Sequence, residues 1–486
     1  MMKKEKLSLD KRKYLGKTKI FFVSRLNKEE ESCILIVLME AIIMSKIVKF
    51  GGSSLADATQ FQKVYDIIKS DKDRRFVVPS APGKRFKDDT KVTDLLYKIF
   101  YAKTKNEFHL YFDQLKERFL DIIEGLHIDI SLEEDFLAIQ KALEDGTSED
   151  YIVSRGEYLN GKILAAYLGF EFIDAKDVIF IDEDGRYDAK KTDPILSQKL
   201  ESVSYAVIPG FYGSLNDDSG QIKAFSRGGS DVTGSIVAKN GKVDLYENWT
   251  DVSGFLIADP RIVKNPDVIE TITYKELREL SYMGASVLHE NSVFPVRKEG
   301  IPIHIKNTNR PQDPGTLIVE STCHKPAHVI TGIAGKQGFA TVMIEKDMMN
   351  SEIGFGRKVL QVFEDYHVSF EHMPSGIDTM TVIVNTEEFI DKEQDILAGL
   401  HRSVHPDSII LESDLSLIAV VGRGMKASRG TAARVFKALA KENINIKMID
   451  QGSSELNIII GVRNCYFKPA IKAIYKEFID NERDGL

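Results

Sequence analysis

The chain predicts an α/β domain with a mostly parallel sheet, followed by two small ferredoxin-like modules. Two observations carry this expectation. From Met44 onward short β-rich runs alternate with longer amphipathic stretches, the pattern of strands joined by crossover helices. Near the C-terminus one unit is then written twice.

The strand candidates, in order, are "KIVKF" (46–50), "RRFVVPS" (74–80), "FEFIDA" (170–175), "YAVIPGF" (205–211) and "KVDLYENW" (242–249). Their β-branched and aromatic residues suit a buried sheet. Segments 60–70, 109–124 and 156–168 carry helical spacing. Several strands end in Gly, Ser, Asp or Thr, so polar groups should gather on one rim, where ligands bind in such sheets.

In the tail, "GFGRKVLQVFEDYHVSFEHMPSG" (354–376) aligns with "GTAARVFKALAKENINIKMIDQG" (430–452). Gly354 falls on Gly430, Val359 on Val435, Val368 on Ile444, Phe370 on Ile446 and Gly376 on Gly452. Phe355, Val359, Phe363 and Tyr366 recur at helical spacing, and "HVSFEHM" alternates like a strand. β-rich runs flank each copy, which gives a βαββ-type unit in tandem. "VVGRGMKAS" (420–428) imitates a dinucleotide loop but lacks the third glycine and lies inside the repeat.

Composition bounds the function. With 486 residues, 43% hydrophobic and 28% charged, the chain is too long for one ordinary domain. With a net charge of -8 no nucleic-acid-binding surface dominates the protein, which favours a small-molecule partner. Cysteines stand only at 33, 323 and 465, without C-x-x-C or a His cluster at ligand spacing. No metal site or disulfide framework is expected, and a reducing cytoplasm fits. The apolar run "CILIVLMEAIIM" (33–44) is too short to span a bilayer and is interrupted by Glu40. It also lacks the flanks of a signal peptide. Met39-Glu40-Ala41 can be encoded by AUG-GAG-GCN, which contains a GGAGG ribosome-binding sequence ahead of the Met44 codon. Residues 1–43 are therefore expected to be a non-native or disordered extension, with translation starting at Met44.

"KFGGSS" ends the first strand candidate with Lys49, Gly51, Gly52 and Ser53. Glycines let backbone N–H groups approach an anion and the lysine supplies charge, although an ordinary turn explains the same residues. The lysine precedes the glycines, so this is no Walker A loop. A second Gly-Gly pair in "FSRGGSDVTGSIVA" (225–238) is flanked by Arg227, Ser230 and Asp231. The arginine can grip a carboxylate, and the aspartate can hold a lysine in register; Ser230 or Asp231 could equally be a plain N-cap. "SRGEYLNGKILAAYLG" (154–169) places Glu157 at an expected helix start, suited to an ammonium group or simply to the helix dipole. "ENWTDVSGFLIADPRIV" (247–263) offers Thr250, Asp251 and Arg261 around turns.

Taken together, "KFGGSS", "SRGE", "GFYG", "SRGGSD", "WTDVSGFLIADPR" and "YMGASVLHE" resemble, in this order, the aspartokinase branch of the amino-acid kinase family. The duplicated tail resembles the paired ACT domains of its monofunctional members. The resemblance covers essentially everything from Ser45 onward. It implies a three-layer kinase domain over 44–325, a first ACT domain over 326–406 and a second over 407–486, consecutive or interleaved. It also implies transfer of the ATP γ-phosphoryl group to the side-chain carboxylate of L-aspartate, with Mg2+ on the nucleotide. Lys49 matches the lysine that neutralises the transferring group, and Asp231 the residue that orients it. Thr93 in "KVTDLL", Glu157, Phe211, Arg227 and Ser230 match substrate-side positions, Arg227 for the α-carboxylate and Glu157 for the α-ammonium. Gly51, Gly52, Ser53, Thr250, Asp251 and Arg261 match the nucleotide side.

One departure stands out: where some members carry a phosphate-binding lysine in "GAKVLHP", this chain has Ser286, leaving Arg261 or Lys264 as the nearest cations in sequence. ACT pairs imply feedback inhibition by lysine, threonine or both, and a homodimer or larger assembly. Met349, Phe355, Ser369, Phe370, Glu371 and Ser375 match the effector region, although Met349, Phe355 and Phe370 also suit a plain core. The tail ends without a fused dehydrogenase, so a monofunctional kinase is expected. A kinase acting on glutamate or acetylglutamate would share Lys49 and the glycines, but "SRGGSD" and the ACT pair argue against it. A non-catalytic amino-acid sensor with a decayed nucleotide site would not need Lys49, Asp231, Glu157 and Arg227 together.

Overall fold

The computed structural model describes residues 45–217, 219–226, 228–285, 288, 293–322 and 326–484. Its contacts divide the chain into two units. One runs to Ser253 and takes in Leu288–Glu320; the other joins Gly254–Val287 to the chain from Ser321 onward.

The elements begin with β1 (Lys46–Phe50), α1 (Ala58–Lys69), β2 (Arg74–Pro79), α2 (Val92–Phe100), α3 (Lys105–Leu126), α4 (Glu133–Glu144) and α5 (Glu149–Leu168). Then come β3 (Glu171–Phe172), β4 (Phe180–Ile181), α6 (Ala189–Glu201), β5 (Ala206–Val207), β6 (Tyr212–Leu215), β7 (Ile222–Ala224), α7 (Gly229–Asn240) and β8 (Leu245–Thr250). They continue with β9 (Thr271–Thr273), α8 (Tyr274–Tyr282), α9 (Phe294–Glu299), β10 (Ile303–Asn307), β11 (Thr316–Val319) and β12 (Gly332–Glu345). The last are α10 (Phe355–Asp365), β13 (Phe370–His372), β14 (Thr379–Asn385), α11 (Thr386–Phe389), α12 (Glu393–Val404), β15 (Ser408–Val421), α13 (Thr431–Lys441), β16 (Met448–Asp450), β17 (Asn457–Val462) and α14 (Phe467–Tyr475). Among the described residues no helix is long and apolar enough to cross a membrane.

In the first unit the strands run β3-β5-β2-β1-β8-β10-β11. All pair in parallel except β11, which returns antiparallel to β10. All five strand candidates lie in this sheet. Alternation along β1 decides the layers: Val48 and Phe50 join a core with Phe61, Phe119, Ile163 and Trp249, which places α1, α3 and α5 on that face. Each such buried side chain stabilises by about 1.5–3 kcal/mol. Lys49 has the opposite parity and meets α7.

The second unit holds the antiparallel sheet β13-β14-β12-β15-β17-β16. The 14-residue strands β12 and β15 each run through both ferredoxin-like modules, so the modules share strands and are interleaved. The register breaks between Gln337 and Thr341, beside Gly338 at φ 91°. The repeat survives in detail: Gly354 and Gly430 cap α10 and α13 with φ of 82° and 81°, a left-handed conformation that glycine adopts without a steric penalty. Val342, Val359, Phe363, Val382 and Leu400 fill the core of the first module.

The dinucleotide-like "GRG" has a packing role. A Cβ on Gly422 would lie 2.7 Å from Ile330 Cα, and one on Gly424 2.6 Å from the Val329 carbonyl oxygen. Arg423, between them, pairs with the fully buried Glu276 at 3.0 Å. Glu276 also accepts from the Thr331 hydroxyl at 2.6 Å and the Arg423 N–H at 2.8 Å. Burial opposes its ionisation, but these donors hold its carboxyl below the usual range.

Candidate active site

β1 delivers the phosphate-loop candidate. The Gly51 N–H donates to the Trp249 carbonyl at 3.0 Å, and the chain then crosses the loop that follows β2. A Cβ on Gly52 would stand 2.8 Å from the Ala81 carbonyl oxygen, and one on Gly83 2.6 Å from the Gly52 carbonyl carbon. Two glycines are therefore required where these backbones meet, with the Gly83 N–H donating to Gly52 at 2.8 Å. Ser53 sits half-buried in the following turn.

Lys49 is 8% exposed, and its Nζ lies 2.6 Å from Asp231 Oδ1. Asp231 stands in the first turn of α7, whose cap Gly228 has φ 59°. The free N–H groups and positive dipole of that helix start face the same region. Ser230 is buried there, and its Cβ would clash at 2.6 Å with any side chain at Gly210. Phe211 adopts φ 80°, unusual for a bulky residue. Its N–H donates to Thr233 Oγ1 at 3.1 Å, and its carbonyl accepts from Phe225 at 2.9 Å, which holds the strained turn against α7.

Glu157 differs from its expected place. α5 begins at Glu149 under the cap of Ser148, so Glu157 is well inside the helix and does not meet the N-terminal dipole. The preceding Gly156 serves packing: a Cβ there would lie 2.8 Å from Ala81 Cβ and 3.2 Å from Leu96. This contact brings the start of α2, which carries Thr93, beside the Glu157 turn. Glu157 is 5% exposed, and Oε2 has no hydrogen-bond partner among the described residues. Burial pushes its carboxyl up to about 8, against the opposing Ala81 N–H and the Arg155 charge. The result is a buried acid that keeps its proton at neutral pH. Arg155 is stacked against Tyr151, Tyr158 and Tyr212 at 4.6, 4.5 and 5.3 Å.

Three contributors were missed. Arg118 is buried, lies 2.6 Å from Asp89 and donates to the Gly83 carbonyl. Asp89 also pairs with Arg85 at 3.0 Å. Burial opposes its charge, yet the two guanidiniums hold it well below the usual carboxylate range. Together they brace the loop between β2 and α2. A signal existed, since Arg118 occupies a core position between Leu115 and Ile122 on α3. Asn248, 3% exposed, donates to Asp231 Oδ1 at 2.8 Å. Only strand register reveals it.

On the expected nucleotide side, Thr250 and Asp251 form an exposed turn, with Thr250 Oγ1 3.2 Å from Asp251 Oδ1. Asn307 Nδ2 donates to the Asp251 carbonyl at 3.3 Å, and the Thr308 N–H to Thr250 at 2.9 Å. Arg261 belongs to the other unit, where it forks onto Asp259 at 2.7 Å with its side chain 88% exposed. Lys264 is exposed in that unit. Arg227 and Ser286 lie outside the described residues. The structure thus brings together Lys49, Gly51, Gly52, Ser53, Phe211, Ser230 and Asp231, with Thr93 and Glu157 on a neighbouring wall.

In the second unit Met349 and Phe355 are buried in the first module's core, while Ser369, Phe370 and Ser375 are exposed. Glu371 accepts from the Tyr282 hydroxyl at the end of α8. α8 is held to the sheet at two further points, Glu276–Arg423 and Glu279–Asn457, the latter at 2.6 Å.

The amino acid kinase family model matches residues 44–307, and an ACT domain model matches 418–478. Aspartokinase 3 of Bacillus subtilis is 40% identical over 450 residues, covering 89% of this chain and 98% of that protein. The crystal structure of Clostridium acetobutylicum aspartate kinase superposes with a TM-score of 0.81 at 52% identity, covering 90% of this chain and all of that one. Escherichia coli aspartokinase III shares the fold at 24% identity, with TM-scores of 0.69 in complex with aspartate and ADP and 0.68 with lysine and aspartate. Those two structures cover 89% and 90% of this chain and 99% of theirs. The chain belongs to the amino acid kinase family, among the aspartokinases.

Proposed function

We propose that Lys49 and Asp231 form the phosphoryl-transfer pair of this aspartate kinase, which moves the ATP γ-phosphoryl group onto the side-chain carboxylate of L-aspartate. The product is 4-phospho-L-aspartate, which opens lysine, methionine and threonine biosynthesis. The observation that carries the assignment is Lys49 Nζ held 2.6 Å from Asp231 beside the Gly51–Gly52 turn. The attacking carboxylate is already ionised at neutral pH, so no general base is needed. Positioning and charge neutralisation carry the rate. One Lys49 proton engages Asp231, leaving two donors for the phosphoryl oxygens. The Gly52 backbone and the α7 N-terminus fit the remaining phosphate charge. Glu157 receives the α-ammonium of aspartate, and Arg227 the α-carboxylate.

Among the described residues no group of three or more His, Cys, Asp or Glu could hold a metal ion. Magnesium therefore fits as an ion carried by the ATP phosphates, where it neutralises charge. The paired ACT modules suit lysine or threonine as feedback effector, with lysine favoured by its presence in the E. coli relative's structure. Ile353 is 97% exposed, and Met348, Phe370 and Ile377 are exposed in the same module, an apolar surface suited to a second copy of the chain. A homo-oligomer is the assembly this supports, and the scarcity of cysteines fits a cytoplasmic one.

The test is ATP-dependent hydroxamate formation with L-aspartate, repeated with lysine and threonine. Lys49→Ala should abolish it. Equal activity in that variant, or none in the parent, would overturn the assignment.

A further inference from the structure

We propose that Asn248 is a positioning residue for phosphoryl transfer, the second donor that locks the carboxylate which aims Lys49. The inference rests on the assignment of Lys49 and Asp231 above.

Asn248 is the register partner of Lys49 across the β1–β8 ladder, so both side chains leave the sheet on the face covered by α7. Both reach one atom: Asp231 Oδ1 lies 2.6 Å from Lys49 Nζ and 2.8 Å from Asn248 Nδ2. The Tyr246 hydroxyl, on the same face of β8, is 3.5 Å from Asn248 Nδ2 and 3.4 Å from the Asp231 carbonyl oxygen. Gly234 makes room for it, since a Cβ there would stand 2.4 Å from that hydroxyl. The start of α7 is thus pinned to β8 through Asp231's backbone as well as its side chain.

The chemistry explains why an amide stands at 248. A carboxylate holding only the lysine could rotate and follow the ammonium as phosphate draws it away. A second donor fixes the oxygen. A neutral N–H does so without cancelling the charge that orients Lys49, whereas a cation at 248 would compete for it. Buried at 3% exposure, Asn248 provides this bond in a low-dielectric setting, where it is strongest.

Steady-state kinetics of Asn248→Leu and the isosteric Asn248→Asp test the proposal. Losing a hydrogen bond to a charged group should lower kcat roughly 10–100-fold. KM for aspartate should stay within about twofold, because Asn248 acts on the phosphoryl side. In an Asp231→Ala background, Asn248→Leu should cost almost nothing further, since its partner is gone. A merely structural role would instead give the same added loss in both backgrounds. Circular dichroism melting checks folding, and Asn248→Asp keeps the volume if the leucine variant fails to fold. A kcat near that of the parent in the folded variants, or additive losses, would overturn the proposal. If Lys49→Ala is inactive while the Asn248 variants are not, this inference fails and the site assignment stands.

Discussion

Replacing Glu157 by glutamine tests the most unusual electrostatic feature of the candidate site. Burial pushes the folded carboxyl up to about 8, against an ordinary 4.5, and Oε2 has no partner among the described residues. Between those two values the native protein keeps a proton that the unfolded chain has released, so stability falls as pH rises through this window. From pH 6 to pH 8 the loss is about 2 kcal/mol, because the slope of about 1.4 kcal/mol per pH unit falls to half as the pH reaches the folded value. A glutamine side chain cannot ionise, so the Glu157→Gln variant should escape it. Urea unfolding followed by fluorescence reports on the first unit, because the only tryptophan, Trp249, is buried in its core. The stability of Glu157→Gln relative to the parent should therefore rise by about 2 kcal/mol between pH 6 and 8. Titrations common to both proteins cancel in that difference. If Glu157 receives the aspartate ammonium, binding at pH 7 should also expel about one proton. Calorimetry in two buffers of different ionisation enthalpy measures it. A stability gap that does not change with pH, or aspartate binding without net proton release, would refute the picture of a neutral buried acid awaiting a cation.

Two further outcomes are expected. Arg118→Ala removes one of the two guanidiniums on the partly buried Asp89, which keeps Arg85, and should destabilise the first unit by about 1.5–3 kcal/mol in the same fluorescence assay. Under the proposed feedback by lysine or threonine, Tyr282→Phe removes the bond from α8 to Glu371 and should raise the concentration of the inhibiting amino acid for half-inhibition several-fold while leaving uninhibited kcat unchanged. Unaltered sensitivity to it would show that the Tyr282–Glu371 contact carries no regulatory signal.

By itself the sequence determined what depends on near neighbours. The β-branched runs found their sheet. The duplicated helix–strand unit folds twice with the same left-handed glycine at 354 and 430. The pairing of Lys49 with Asp231, far apart in the chain, was implied by the family resemblance alone, since the residues by themselves left Asp231 open as an N-cap. Tertiary structure decided the rest. Whether Glu157 opens a helix or lies inside one depended on the cap at Ser148 and on Ala81 pressing against Gly156. Asn248 reads as one polar residue in a strand until parallel register sets it opposite Lys49. The segment 254–287, which carries Arg261 and α8, groups with the ACT sheet because Glu276 is buried against Thr331 and Arg423. Periodicity, turns and caps are fixed over a few residues. Burial, proton affinity and the second donor on a carboxylate are set by segments that only folding brings together.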